Sequence, residues 1–319
     1  MIRAAARLVL AAAVILAAPQ ACRAGVAPGR AAGEPGRVTF DESGYMVRQA
    51  PCGPFHMHYS ERTSRISREV EKLICESAGD IAAEIGLEKP GGIEVYTVPD
   101  RNEFNSLSGG AIQEWGEAYS DLGRMMMGID AGAVLRSPRP LRTVVRHELS
   151  HLFFSQKVRG VRCPAWFMEG LAMRQSREWT LVDQWNLVAS IWSGRLPDLE
   201  DLGGAFPGPA AEASSAYRLS YAAVEELFGE NPGDLVTLIS FVRDTGDFDR
   251  AFLLTFGRAP EEFTAAFHMK LEKRYRTAGA VLQSSPFWIF VVLLFLSAYA
   301  LKRIRGRRRL KEWRDEGLD

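Results

Sequence analysis

Apolar side chains at Ile66, Val70, Leu73, Ile74, Ala78, Ile81, Ala82 and Ile85 recur three and four residues apart. That spacing predicts a helix from Ser64 to Ile85, stopped by Gly86. On either side the period changes. Pro54–Tyr59 and Gly92–Val98 read as strands, the second with clear alternation. His56 and His58 share one face of the first strand and read as a surface pair, with no acidic partner at ligand spacing. Ser106–Leu122 is Gly-rich and polar, a loop by composition. The short apolar stretch Arg124–Asp130 predicts the last strand before a helix over Thr143–Phe154 whose apolar residues surround it, as in a buried helix. Pro164 suits the start of a second buried helix reaching Met173. Beyond Arg174 the pattern is helical: Trp179–Ser193, Ala216–Phe228, Leu235–Val242, Phe248–Phe256 and Pro260–Arg276, with a Gly/Pro-rich connection at Leu196–Ala210.

The two ends differ from this folded part. Arg3 and Arg7 precede the apolar run Leu8–Ala18, which is too short to span a bilayer, and small residues follow. Residues 1–24 therefore read as a signal peptide, cleaved after Ala24, with a lipoprotein-type site at Cys22 as the poorer alternative. Residues 25–37, rich in Gly, Ala and Pro, read as a flexible linker. Pro286–Leu301 is apolar except for Ser297, has Trp288 and Tyr299 near its ends, and is followed by eight Lys and Arg side chains. Sixteen residues are slightly short, but Lys302 can snorkel and Ile304 extends the run. The reading is a transmembrane helix over 286–304 and a basic cytoplasmic tail over 305–319, under the positive-inside rule. A buried core helix is the alternative.

Chemistry concentrates at His147-Glu148-Leu149-Ser150-His151. On a helix, residues four apart lie one above the other, so both imidazoles reach one metal ion and Glu148 projects close by as a base for water. The chain has only five histidines, so two of them meeting at this spacing by chance is improbable. A catalytic zinc takes a third protein ligand and keeps a fourth position open. Glu169 lies in the apolar run from Pro164 to Met173, where an unpaired carboxylate is costly. Its partner is either a metal or one of Arg162 and Arg174.

The His147–His151 motif, together with Trp166-Phe167-Met168-Glu169-Gly170-Leu171-Ala172, resembles the gluzincin zinc peptidases, and within them the peptidase MA-like domains. The strand–helix–strand lead-in and the later helices, including Phe248–Phe252, are similar as well. The resemblance implies one Zn2+ per chain held by His147, His151 and Glu169, with Glu148 as general base. It implies that Tyr217 or Tyr221 stabilises the oxyanion, though core packing is the better reading for each taken separately. It also implies that the strand before the zinc helix pairs with an extended substrate, against the alternative of a plain core strand.

The expected architecture is α+β: a zincin-like ectodomain over 38–277 with a small mixed sheet, then an all-helical part and one membrane span. The formal charge is zero, but removing residues 1–24 and 302–319 leaves 28 basic against 35 acidic side chains, near −7. That balance argues against nucleic acid and anionic lipid and favours neutral or basic partners. Peptide or protein substrates are expected close to the membrane, because only the short tether at 278–285 joins the domain to its anchor. The site is expected outside the cytoplasm, in the periplasm if the source is bacterial. Of Cys52, Cys75 and Cys163, two can pair in such a compartment, and Cys52 with Cys75 would tie the first strand to the first helix. The expected function is a membrane-anchored zinc peptidase; the alternative is a catalytically silent, tethered binding or assembly module.

Overall fold

The computed structural model describes residues 13–14, 38–109, 116–204, 210–283 and 285–315. The expected signal peptide (apart from residues 13–14), the linker and the last four residues lie outside the described residues. Contacts divide the chain into two compact units, Met1–Phe267 and His268–Asp319.

The first unit opens with strands β1 (Ala13–Val14), β2 (Thr39–Phe40), β3 (Met46–Gln49) and β4 (Phe55–Tyr59), then α1 (Ser64–Glu84), β5 (Ile93–Val98) and α2 (Arg101–Ser108). Strands β6 (Ala118–Asp121) and β7 (Met126–Asp130) follow, with α3 (Ala131–Arg136), α4 (Leu141–Lys157) and α5 (Ala165–Ser176). Then come α6 (Leu181–Trp192), α7 (Ala210–Phe228), α8 (Gly233–Thr245), α9 (Phe248–Phe256) and α10 (Pro260–Gln283), which runs on into the second unit. The strands form one mixed sheet in the order β1-β6-β7-β5-β4-β3-β2. β4, β5 and β7 are parallel, and β6 runs antiparallel to β7. This is an α+β fold with a mixed sheet and a helical C-terminal part.

Two expectations change here. Ser106–Leu122 is not a plain loop. Asp100 caps α2 by accepting from the N–H groups of Asn102 and Glu103, and Gly109 at φ 68° closes it. β6 then pairs with β7 on the side away from β5, and β1 in turn flanks β6. Met126–Asp130 is therefore an interior strand bonded on both sides, with no free edge for an extended substrate. The signal was weak because β6 is four residues long and its first three are buried. Across it, Tyr119 opposes Gly128, where a Cβ would come within 2.2 Å of the tyrosine ring; glycine is what lets the ring lie over the strand.

Side chains alternate across the sheet. Phe55 reaches Phe153 of α4 on one face, and on the other Tyr119 meets Phe104 of α2 edge-on. His58 is buried on that second face, not on the surface. Its Nδ1 lies 2.7 Å from Asp41 and its Nε2 2.6 Å from Glu94, and its ring stacks on Tyr96. Its acidic partners come from the turn after β2 and the neighbouring strand, which linear spacing does not reveal. Cys52 and Cys75 form a disulfide joining the start of β4 to α1, and Cys163 is free and buried.

In the second unit α10 continues to Gln283, so the expected short tether at 278–285 is largely helical. The apolar run lies in α11 (Ser285–Asp315). Among the described residues, no helix is long and apolar enough to cross a membrane.

Candidate metal centre

α4 is buried on nearly every side between α1, α5 and the sheet; Val144 through Ser155 are all buried. His147 and His151 stand one turn apart on it, with ring centroids 4.9 Å apart. α5 crosses close by, held by its aromatic residues: Phe167 packs on Phe154, Phe228 and Phe248, and Trp166 on Phe263. That packing points Glu169 at the histidines. Its Oε2 lies 3.3 Å from His147 Nε2 and 3.7 Å from His151 Nε2. Arg174, one of the two arginines considered for Glu169, pairs with Glu225 instead.

His147 Nε2, His151 Nε2 and Glu169 Oε2 are buried and have no hydrogen-bond partner among the described residues. All three lie within 4.8 Å of one another. Tetrahedral ligands about 2.0–2.1 Å from an ion sit roughly 3.4 Å apart, close to the 3.3 and 3.7 Å from Glu169 to the two histidines. Three converging buried donors left unpaired are costly without an occupant. This His–His–Glu group can hold a metal ion.

The carboxylates around it are in different states. Burial pushes Glu169 up, but His151 and His147 outweigh it and hold the carboxyl below its ordinary value. Glu148 goes the other way: burial raises it, and the two histidines and Ser120 offset only part. Glu148 Oε2 accepts from Ser120 Oγ at 2.7 Å, while Oε1 is buried and unpartnered among the described residues. The result is a carboxylate of raised basicity with one oxygen open, beside the metal donors.

Sequence reasoning missed three residues here. Glu178 Oε2 lies 3.4 Å from His147 Nδ1, the nitrogen that faces away from Glu169, and takes hydrogen bonds from Arg139 and Ser176. Burial pushes Glu178 up, yet Arg139 and His147 reverse this and hold it at about 2. Arg139 Nη2, which can only donate, also lies 3.4 Å from Nδ1; an ionised carboxylate that accepts from Nδ1–H leaves Nε2 free for a metal. Glu178 reaches His147 because α5 ends at Arg177, with φ 57°, and the Glu178 N–H returns to the Met173 carbonyl. No glycine marks that left-handed turn, so the sequence carried no signal for it. Arg139 and Ser120 likewise arrive from segments read as connections.

Of the two tyrosines, Tyr217 is buried, and its hydroxyl is pushed well above its ordinary value by burial and by Glu169, Glu148 and Glu178. Tyr221 stacks on Trp179 and neighbours Glu225 and Arg174, away from these carboxylates. A scan against protein-family models finds no match, and neither does a search of curated proteins.

Proposed function

We propose that the chain is a zinc-dependent peptidase of gluzincin type, anchored in a membrane by the apolar stretch of α11 and working outside the cytoplasm. The observation that carries this reading is the open Oε1 of Glu148 beside three converging, unpaired metal donors. His147, His151 and Glu169 hold the ion, and two nitrogens with one oxygen suit zinc. Bound there, zinc supplies Lewis-acid polarisation of the scissile carbonyl and of water. Glu148 takes the proton from the attacking water at Oε1 and returns it to the leaving amine nitrogen. Glu178, backed by Arg139, keeps His147 in the right tautomer, and Tyr217 donates to the developing oxyanion.

The membrane reading rests on the apolar run 286–301 of α11, which reaches the length of a span only with Lys302 and Ile304 added. Its residues Trp288, Phe290, Leu293, Leu294, Phe295, Leu296 and Tyr299 are all more than half exposed, on every side of the helix. A helix apolar all round belongs in lipid or a core rather than in water, and the basic side chains after Leu301 belong on the cytoplasmic side.

Elemental analysis of the purified full chain tests the metal set. One zinc per chain is expected, lost in His147→Ala, His151→Ala and Glu169→Ala. Full occupancy in Glu169→Ala would remove that residue from the set.

A further inference from the structure

Ser120 stands in β6 with no exposed surface. Its neighbour Tyr119 turns to Phe104, so Ser120 points to the opposite face, toward α4. Its Oγ lies 2.7 Å from Glu148 Oε2 and 3.0 Å from the Glu148 backbone oxygen. A serine hydroxyl has one proton to give. The nearer oxygen takes it, at 2.7 Å against 3.0 Å for the backbone oxygen. The two oxygens of Glu148 are therefore unequal: Oε2 is held and Oε1 is open.

The terminal torsion of a glutamate is broad and roughly two-fold, so an untethered carboxylate samples several orientations. Nothing in local helix geometry removes that freedom. The only side-chain hydrogen bond to Glu148 among the described residues comes from Ser120, across twenty-eight residues of sequence. The backbone oxygen of residue 148 also lies 3.0 Å from Oγ and competes for the same proton.

Resting on the peptidase reading above, we propose that Ser120 is a positioning residue for that reaction: it pins Glu148 Oε2 so that Oε1 alone meets the attacking water. The strand that lies along the outer side of β7 is thereby linked to the general base. A shift of β6 along its length would move the hydroxyl off the carboxylate.

The test compares crystal structures of the zinc-loaded wild type, Ser120→Ala and Ser120→Cys, with zinc content, kcat and KM for the library peptide that the wild type cuts fastest. Cysteine keeps the volume but is a poor donor, so it preserves the test if the alanine variant fails to fold. Zinc content is expected to stay unchanged. The Glu148 carboxylate should take one orientation in the wild type and a rotated or divided one in the variants. kcat should fall about tenfold or more with KM little changed, the usual effect of losing an outer-shell partner. A variant whose Glu148 keeps the wild-type orientation overturns the proposal, whatever its activity. A wild type that cuts no peptide sinks the peptidase reading instead, while the carboxylate orientation still decides whether Ser120 holds Glu148.

Discussion

Glu178 touches no metal donor atom, yet it decides how His147 presents one. Its carboxylate lies on the Nδ1 side of the ring and is itself bound by Arg139, whose side chain is almost wholly buried. Glu178→Ala should weaken zinc binding about 10- to 100-fold, read by competition with a chromophoric chelator. Affinity equal to that of the wild type would leave Glu178 with only a packing role. Cys163 offers a second residue-scale test. Burial pushes its thiol up to about 12, so it should resist alkylation at neutral pH in the native protein and react once the protein is unfolded. At this scale, what the sequence made legible was the part with a fixed period. His147, Glu148 and His151 follow from helical spacing, and Glu169 from the oddity of a carboxylate in an apolar run. Ser120 and Glu178 join the site through a short strand and a left-handed Arg177, and neither leaves a periodic trace.

Elements hold the donors in register. Gly170 follows Glu169 on α5, and a Cβ there would stand 2.3 Å from the Ser220 carbonyl oxygen of α7. Gly170→Ala must push these helices apart, so it should cost about 1–3 kcal/mol in chemical denaturation and weaken zinc binding with it. Gln175 bonds Ser150 of α4 and Glu84 of α1 through its side chain, and Arg146 through its backbone oxygen. Gln175→Leu keeps the backbone bond to Arg146 but orphans the buried Ser150 hydroxyl and should destabilise the fold by about 1–3 kcal/mol. The sheet carries a pH-dependent tie of its own. Burial pushes Glu94 up, but His58 and His56 outweigh it and leave the carboxyl below its ordinary value of 4.5. A carboxyl lower in the folded than in the unfolded state stabilises above the unfolded value and loses that contribution as pH falls. Melting temperature should drop below about pH 4.5, and Glu94→Gln should flatten that part of the curve. Long elements such as α1 and α4 were legible because many apolar positions vote for one period. The four-residue β6 was not, and the partners of His58 arrive by pairing across strands.

At the scale of the whole molecule, the reading joins a site in the first unit to an anchor in the second. Protease treatment of sealed spheroplasts should digest residues of the first unit and spare the Arg-rich tail; the reverse pattern would overturn the orientation. The central claim is that Glu148 does chemistry on a metal the chain holds, and its most direct measurement is cleavage of a peptide library by zinc-matched wild type and Glu148→Gln. The amide keeps the shape and removes the base. The account predicts that both proteins carry one zinc and melt at nearly the same temperature, while cleavage falls by about a hundredfold or more in Glu148→Gln. Equal cleavage by the two proteins, or a zinc-loaded wild type that cuts nothing, would contradict it.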